Sequence, residues 1–336
     1  MRQEAMLDEW RDLYAVVTRI KALQPWEHLW DMDLIALSDG EETAYISVLG
    51  RNGECFGLSV YEGLEGLNDF MLMTLQEKMN LAPTYVMYSQ NSLTCYWGNR
   101  EELSKEQRNI IKELGYSYRG KNQWLYFMSY AEGYYPYNLD REEVIRMTRY
   151  MTLLEEALIA YYKFSENEKV PFEEEKLFAY SIDSTGAKHW GIEEVPFTSY
   201  QYLNLIIEDE ELLEELNQVN KTNIILEADT SYLGVCVNDP QYIRPANPAL
   251  CLIADSIQEC IIKADMVQPE EDAFVALAEN VIGFILTYGA PKEIRVSNIL
   301  VEAVLEQICQ VTKTKLRRVK KLPILTDFME NAKQFM

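Results

Sequence analysis

Histidine is scarce in this chain, with two in 336 residues, His28 and His189. A Ser-His or Cys-His catalytic pair would have to use one of them. His28 lies in the aromatic run Pro25-Trp26-Glu27-His28-Leu29-Trp30, and His189 sits beside Trp190 in an expected hairpin strand. Neither has a nucleophile motif next to it. The six cysteines form no Cys-x-x-Cys pair, so a zinc site or a dithiol centre lacks its spacing. Most lie inside apolar runs such as Gly234-Val235-Cys236-Val237, which reads as buried free thiols. Glycine loops that cradle phosphate are also missing. The nearest approach, Tyr61-Glu62-Gly63-Leu64-Glu65-Gly66-Leu67, has no Gly-x-Gly or Gly-Lys-Ser/Thr step, and its two Glu would repel a phosphate. Tight turns are the better reading of Gly57, Gly63 and Gly66. The N-terminus, Met1 to Trp10, is charged from the start and has no signal-peptide apolar core. The most apolar late helix still contains Glu279 and Asn280, so no membrane span is expected. A soluble protein of the reducing cytoplasm, with no cofactor and no metal, is the expectation.

Bases are outnumbered, 31 against 54 acids, for a net charge of −23. That charge disfavours nucleic-acid backbones and anionic membranes as partners. Solubility is its simplest meaning. The sharper alternative is an acidic decoy that imitates nucleic acid to a DNA-binding protein. The densest acids, Glu208 to Glu215, interleave with Leu205, Leu212, Leu213 and Leu216 and read as the solvated face of a helix over about 202–219. The one basic run, Lys313 to Lys321, reads as an edge strand guarded by Lys and Arg, with contact to an acidic partner or an RNA backbone as the alternative. Tyr130, Tyr134, Tyr135 and Tyr137 flank Pro136 and suit either a protein contact or internal packing.

The length fits about two domains. The first, residues 1–168, reads as α+β. Leu7, Trp10, Leu13, Tyr14, Val17 and Ile20 recur at helical spacing until Pro25. Gly50-Arg51-Asn52-Gly53 joins two apolar strands, 44–49 and 55–60. A helix through Leu67, Phe70, Met71 and Leu75 follows, then short strands at 84–88 and 93–97. Ser104-Lys105-Glu106-Gln107 is a capping box and Asp140 opens a long helix with Val144, Met147, Met151, Leu154 and Leu158 on its core face. Residues 169–220 form a connecting region, with a hairpin at 177–192 whose domain is open and the acidic helix. Residues 221–336 read as an α/β domain: strands 249–254 and 259–264, a helix, strand 293–296, a helix and strand 316–319. The order is β-β-α-β-α-β, and its closing β-α-β implies parallel pairing.

That order is shared by ribonuclease H-like cores, and Pro291-Lys292-Glu293-Ile294-Arg295-Val296-Ser297-Asn298 resembles their Pro-x-x-Ile-x-x-Asp-Asn step with Ser297 in the place of the Asp. Two-metal phosphodiester chemistry needs several converging carboxylates. Asp255, at the end of the presumed first strand, could supply one. Asn298 stands near the second position but is neutral and holds a divalent cation poorly. No acid of the last helix clearly fills a third role, for which Asp327 and Glu330 are candidates. The backbone alternatives are favoured: Asp255 as a turn residue and Asn298 as a helix N-cap. The runs Pro25–Trp30, Gly50–Glu54 and Gly57–Leu67, with Pro291–Asn298 and Lys321-Leu322-Pro323, resemble an uncharacterised bacterial family that pairs an N-terminal with a C-terminal domain of unknown function. That resemblance implies two domains and no activity. The expected function is a non-catalytic binding or regulatory protein whose partner is another protein. The alternative is a divergent metal-dependent nuclease or phosphoesterase using Asp255.

Overall fold

The computed structural model describes residues 2–332 except 41, 75, 77–80 and 203. It is mixed α and β, with helices and a sheet in both halves. By internal contacts it forms two compact units. One comprises Met1–Met71, Gln90–Ala131 and Pro136–Tyr200, and the other Leu72–Ser89, Glu132–Tyr135 and Gln201–Met336. Residues 72–89 and 132–135 thus cluster with the second unit although they lie within the span 1–168.

The first unit contains α1 (Leu7–Leu23), β1 (Ile35–Ser38), β2 (Thr43–Leu49), β3 (Gly57–Glu62) and all but the last three residues of α2 (Gly63–Thr74). After α3 (Pro83–Tyr88), which belongs to the other unit, come β4 (Ser92–Gly98), α4 (Lys105–Glu113), β5 (Trp124–Tyr130), α5 (Arg141–Ser165), β6 (Lys176–Ile182) and β7 (Lys188–Glu194). The sheet order is β5-β4-β3-β2-β1-β6-β7. All neighbours are antiparallel except β1 and β6, which pair in parallel with Ile35 opposite Phe178. The hairpin β6–β7 therefore belongs to the first sheet, through a strand, β1, that periodicity did not reveal because four residues are too few to show a period. One face of the sheet meets α1 and α5 in the larger core, with Leu13, Val17, Ile20, Met147, Leu154 and Leu158 all buried. The other face packs Ala36, Tyr45, Tyr61 and Ala179 against Leu67 and Phe70 of α2.

Local chemistry explains the helix starts. Asp140 accepts from the Glu143 amide at 2.9 Å while Glu143 accepts from the Asp140 amide at 2.8 Å. Ser104 and Gln107 make the same reciprocal pair at 3.2 and 3.0 Å. The segment 84–88, expected as a strand, is helical because Pro83 opens it at the first turn, with its φ preset and no amide to leave unpaired. Gly63 takes a left-handed φ of 64°, and a Cβ on Gly66 would stand 2.8 Å from the Tyr61 backbone, so these glycines make a tight strand-to-helix turn. The expected helix position Leu75 lies outside the described residues.

The second unit holds α6 (Glu210–Gln218), β8 (Ile225–Tyr232), β9 (Ala249–Asp255), β10 (Cys260–Val267), α7 (Ala273–Tyr288), β11 (Glu293–Val296), α8 (Ile299–Val311), β12 (Lys315–Arg318) and α9 (Pro323–Ala332). The acidic helix is shorter than 202–219 because Asp209 caps it, accepting from the Leu212 amide at 3.1 Å. The sheet order is β10-β9-β8-β11-β12, antiparallel on the β9 and β10 side and parallel on the β11 and β12 side. The expected first strand at 249–254 is therefore the second. The strand ahead of it, β8, lies at the centre of the sheet. The basic run does form an edge strand, β12, where Lys315 and Arg317 reach Glu293 at 2.9 and 3.8 Å. Three cysteines, Cys95, Cys251 and Cys309, are buried, whereas Cys55, Cys236 and Cys260 are exposed, because those three fall in turns or on outward-facing positions. No described helix is long and apolar enough to cross a membrane.

Strand β8 alternates. Leu226 and Ala228 join the core under α7 and α8. Glu227, on the opposite face, is 0% exposed, and its Oε2 accepts from the Ile324 and Leu325 amides at 3.0 and 3.3 Å. A buried carboxylate on a central strand thus caps the first turn of α9 and favours its positive end. Glu227→Ala should destabilise the protein by about 2–3 kcal/mol, because buried amides lose a charged acceptor. Glu227→Gln, which keeps an acceptor oxygen, should lose less. Urea denaturation of both variants checks the order, and equal losses would contradict the capping role.

Candidate functional site

The short strand β11 ends beside the middle of β8, its parallel neighbour, which runs on to Tyr232. Register sets the geometry: Arg295 pairs with Glu227, which brings Ser297 level with Asp229 on the same face. The Ser297 hydroxyl donates to Asp229 Oδ2 at 2.6 Å, and the Thr230 amide donates to Asp229 Oδ1 at 2.9 Å. Asp229 keeps a little exposed area, but protein atoms crowd its carboxyl group. That burial pushes it up to about 6, against the lowering effect of Ser297 and the Thr230 amide. The Thr230 hydroxyl is buried and has no hydrogen-bond partner among the described residues. Thr84 and Tyr85 of α3 complete a cavity of about 160 Å³ with Asp229, Thr230, Tyr232, Ser297 and Asn298. Ligand pockets for drug-sized molecules run from roughly 300 Å³ upward, so this cleft suits water or a small ion.

The two expected site residues do not meet. Asp255 pairs with Leu226, and Asn298 lies about level with Thr230. Four residues of strand separate those levels, or about 13 Å. Asp255 Oδ1 accepts from the Ile257 and Gln258 amides at 2.7 and 3.0 Å, closing the turn into β10. Asn298 caps α8, accepting from the Leu300 amide at 2.8 Å. Asp327 and Glu330 are exposed on α9. Among the described residues no group of three or more His, Cys, Asp or Glu is placed to hold a metal ion.

Asp229 is not among the residues expected at a site. Its signal in the sequence is Leu226-Glu227-Ala228-Asp229-Thr230, where acids alternate with small or apolar residues as in a strand with one polar face. The remaining singled-out residues take structural places. His28 packs on Tyr162 with ring centroids 4.5 Å apart, and His189 pairs with Asp183 at 2.9 Å on the exposed hairpin. Tyr130 bonds Tyr96 through their hydroxyls at 2.9 Å, Tyr134 is buried, Tyr135 packs on Tyr88 and Tyr137 lies under Arg2.

A family model for a domain of unknown function, DUF7309, matches residues 10–180. The chain belongs to this family. Beyond the DUF7309 region, a second domain of unknown function, DUF6930, matches residues 212–332. That match holds all of β8 to α9, so Asp229 and Ser297 lie within it. The DUF7309 match ends within β6, the strand that joins the hairpin to the first sheet. No curated protein matches the chain.

Asp229 carries a pH signature. Its folded carboxyl titrates near 6, above the usual 3.8, so between about pH 4 and 6 the folded chain holds a proton that the unfolded chain has released. Stability from this group is full at the acid end of that window and is lost as pH rises through 6. Asp229→Asn should therefore stabilise the protein at pH 7.5 by on the order of 1–3 kcal/mol, with the difference from wild type gone below about pH 4. Asp69, also pushed up to about 6 by burial, titrates alike in both proteins and cancels. Chemical denaturation across pH 3.5–8 measures the difference. A gap independent of pH would contradict the raised carboxyl.

Proposed function

We propose that this DUF7309 protein is a non-catalytic binding or regulatory protein, soluble and cytoplasmic, whose second unit is a ribonuclease H-like scaffold without its metal chemistry. The scaffold reading is supported by the full element order. From β8 onward the second unit runs β-β-β-α-β-α-β-α, with the first strand central and the last two parallel to it. A single observation carries the non-catalytic reading. At the end of β11, where two-metal hydrolysis requires a second carboxylate, the Ser297 hydroxyl donates to Asp229 at 2.6 Å. A hydroxyl that donates a proton to the carboxylate competes with a cation for the same oxygen.

The alternative, a metal-dependent nuclease or phosphoesterase using Asp255, has less support, since Asp255 Oδ1 is committed to two turn amides. Any such activity would be drawn to Asp229 instead. A protein partner fits the binding reading better than nucleic acid, because a chain at −23 repels phosphate over most of its surface.

Single-stranded DNA, duplex DNA and RNA incubated with the protein and Mg²⁺ or Mn²⁺ should be cleaved no faster than with Asp229→Asn or Asp255→Asn. Divalent-dependent cleavage that either variant abolishes would overturn the proposal and name the acid responsible.

A further inference from the structure

Residues 100–123 reverse the sign of the chain. They hold six bases against four acids (Glu101, Glu102, Glu106 and Glu113) in a protein of net charge −23. Four of those bases, Arg100, Lys105, Arg108 and Lys112, line one cavity of about 510 Å³ in the first unit, and no acid lines it. None of the four forms an ion pair among the described residues, although acids outnumber bases along the chain. Arg108 uses its Nε on the Ser104 carbonyl at 3.2 Å. The nearby acid Glu102 is turned to other partners, accepting from Asn99 Nδ2 at 2.8 Å and the Tyr126 hydroxyl at 3.0 Å.

The rest of the lining is aromatic. Tyr116 and Tyr118 stack with centroids 5.7 Å apart and planes within 7°, and Trp124 stands edge-on to Tyr118 at 6.0 Å. Arg100 lies 5.9 Å from the Trp124 ring centroid. All three aromatic residues keep partial exposure. The Tyr118 hydroxyl is buried and closes no hydrogen bond among the described residues, although Thr18 lies close to it. Lys105, Arg108 and Lys112 fall at i, i+3 and i+7 of α4, on one face, and span about 10 Å along the helix. That length accommodates more than one phosphate, and the volume lies within the range of small-ligand pockets.

We propose that this cavity binds a nucleoside diphosphate, with the phosphates against Lys105, Arg108 and Lys112 and the flat base against the Tyr118–Trp124 side. Unpaired cations repel one another, so grouping four of them in one cavity costs stability that an anionic ligand would recover. The aromatic wall favours a ligand with a flat ring over a bare anion. The inference concerns the first unit and does not depend on the reading of Asp229 and Ser297.

The test is calorimetric titration of ADP, GDP, adenosine and inorganic pyrophosphate into the full chain at low salt. The same titrations are run on the double variant Lys105→Glu/Lys112→Glu, whose two sites are exposed. One diphosphate should bind at one per chain, with adenosine and pyrophosphate each at least tenfold weaker. The double variant should weaken that nucleotide at least tenfold at an unchanged melting temperature. Tyr118→Phe, which removes only the hydroxyl, should weaken it by a smaller factor. No binding of either diphosphate would overturn the proposal, as would pyrophosphate binding as tightly as the nucleotides or an unchanged affinity in the double variant. A short oligothymidylate binding more tightly than ADP and GDP would also overturn it in favour of a single-strand groove.

Discussion

A carboxylate can be buried only where donors meet it, and β8, at the centre of the second sheet, carries two on one face. Glu227 and Asp229 are two residues apart and so project to the same side, while Leu226 and Ala228 fill the core on the other. Each acid draws in a different part of the chain. Glu227 collects the first amides of α9, and Asp229 collects the hydroxyl of Ser297 from the end of β11. Their needs fix how the last helix seats on the sheet and what stands at the end of β11.

The same constraint sets the neighbours of each acid. Two facing carboxylates repel, whereas a carboxylate facing a hydroxyl gains a hydrogen-bond donor. Asp229 and Ser297 are the second kind. Asp255 and Asn298 are likewise satisfied, by turn amides and by the first turn of α8. At the sheet edge, Glu293 is held below the usual carboxylate range by Arg295 and Lys315, so Lys315 and Arg317 of the basic run answer one charge within their own sheet. The cations around the α4 cavity form no close ion pair among the described residues, although Lys105 and Arg108 act on the Glu106 carboxylate from a distance.

Much of the fold was legible from local chemistry. The capping boxes at Ser104 and Asp140, the apolar faces of α1 and α5, and the basic edge strand β12 each depend on residues within a few positions of one another. The turn role of Asp255 and the capping role of Asn298 depend on neighbours two or three residues away for the same reason. What escaped was short or non-local. β1 has four residues, Pro83 turned an apolar run into a helix, and β8 reads as a strand only once its acids are allowed to face inward. Asp229 was hidden because a buried acid contradicts the ordinary pattern of polar residues facing water. The α4 cavity was hidden because its bases and aromatics are diluted by four acids in the sequence and are sorted from them only when α4 and β5 pack.

The sequence by itself determined the helices with caps and periodic faces, the two-domain scale and the strong negative charge, since each depends on composition or near neighbours. Only the tertiary structure decided which strand is central, that Asp229 rather than Asp255 lies beside Ser297, and that the 177–192 hairpin extends the first sheet. Those outcomes depend on strand order and register, which come from pairing between residues far apart in the chain. No local pattern encodes them, and a shift of one residue would turn Asp229 to the opposite face.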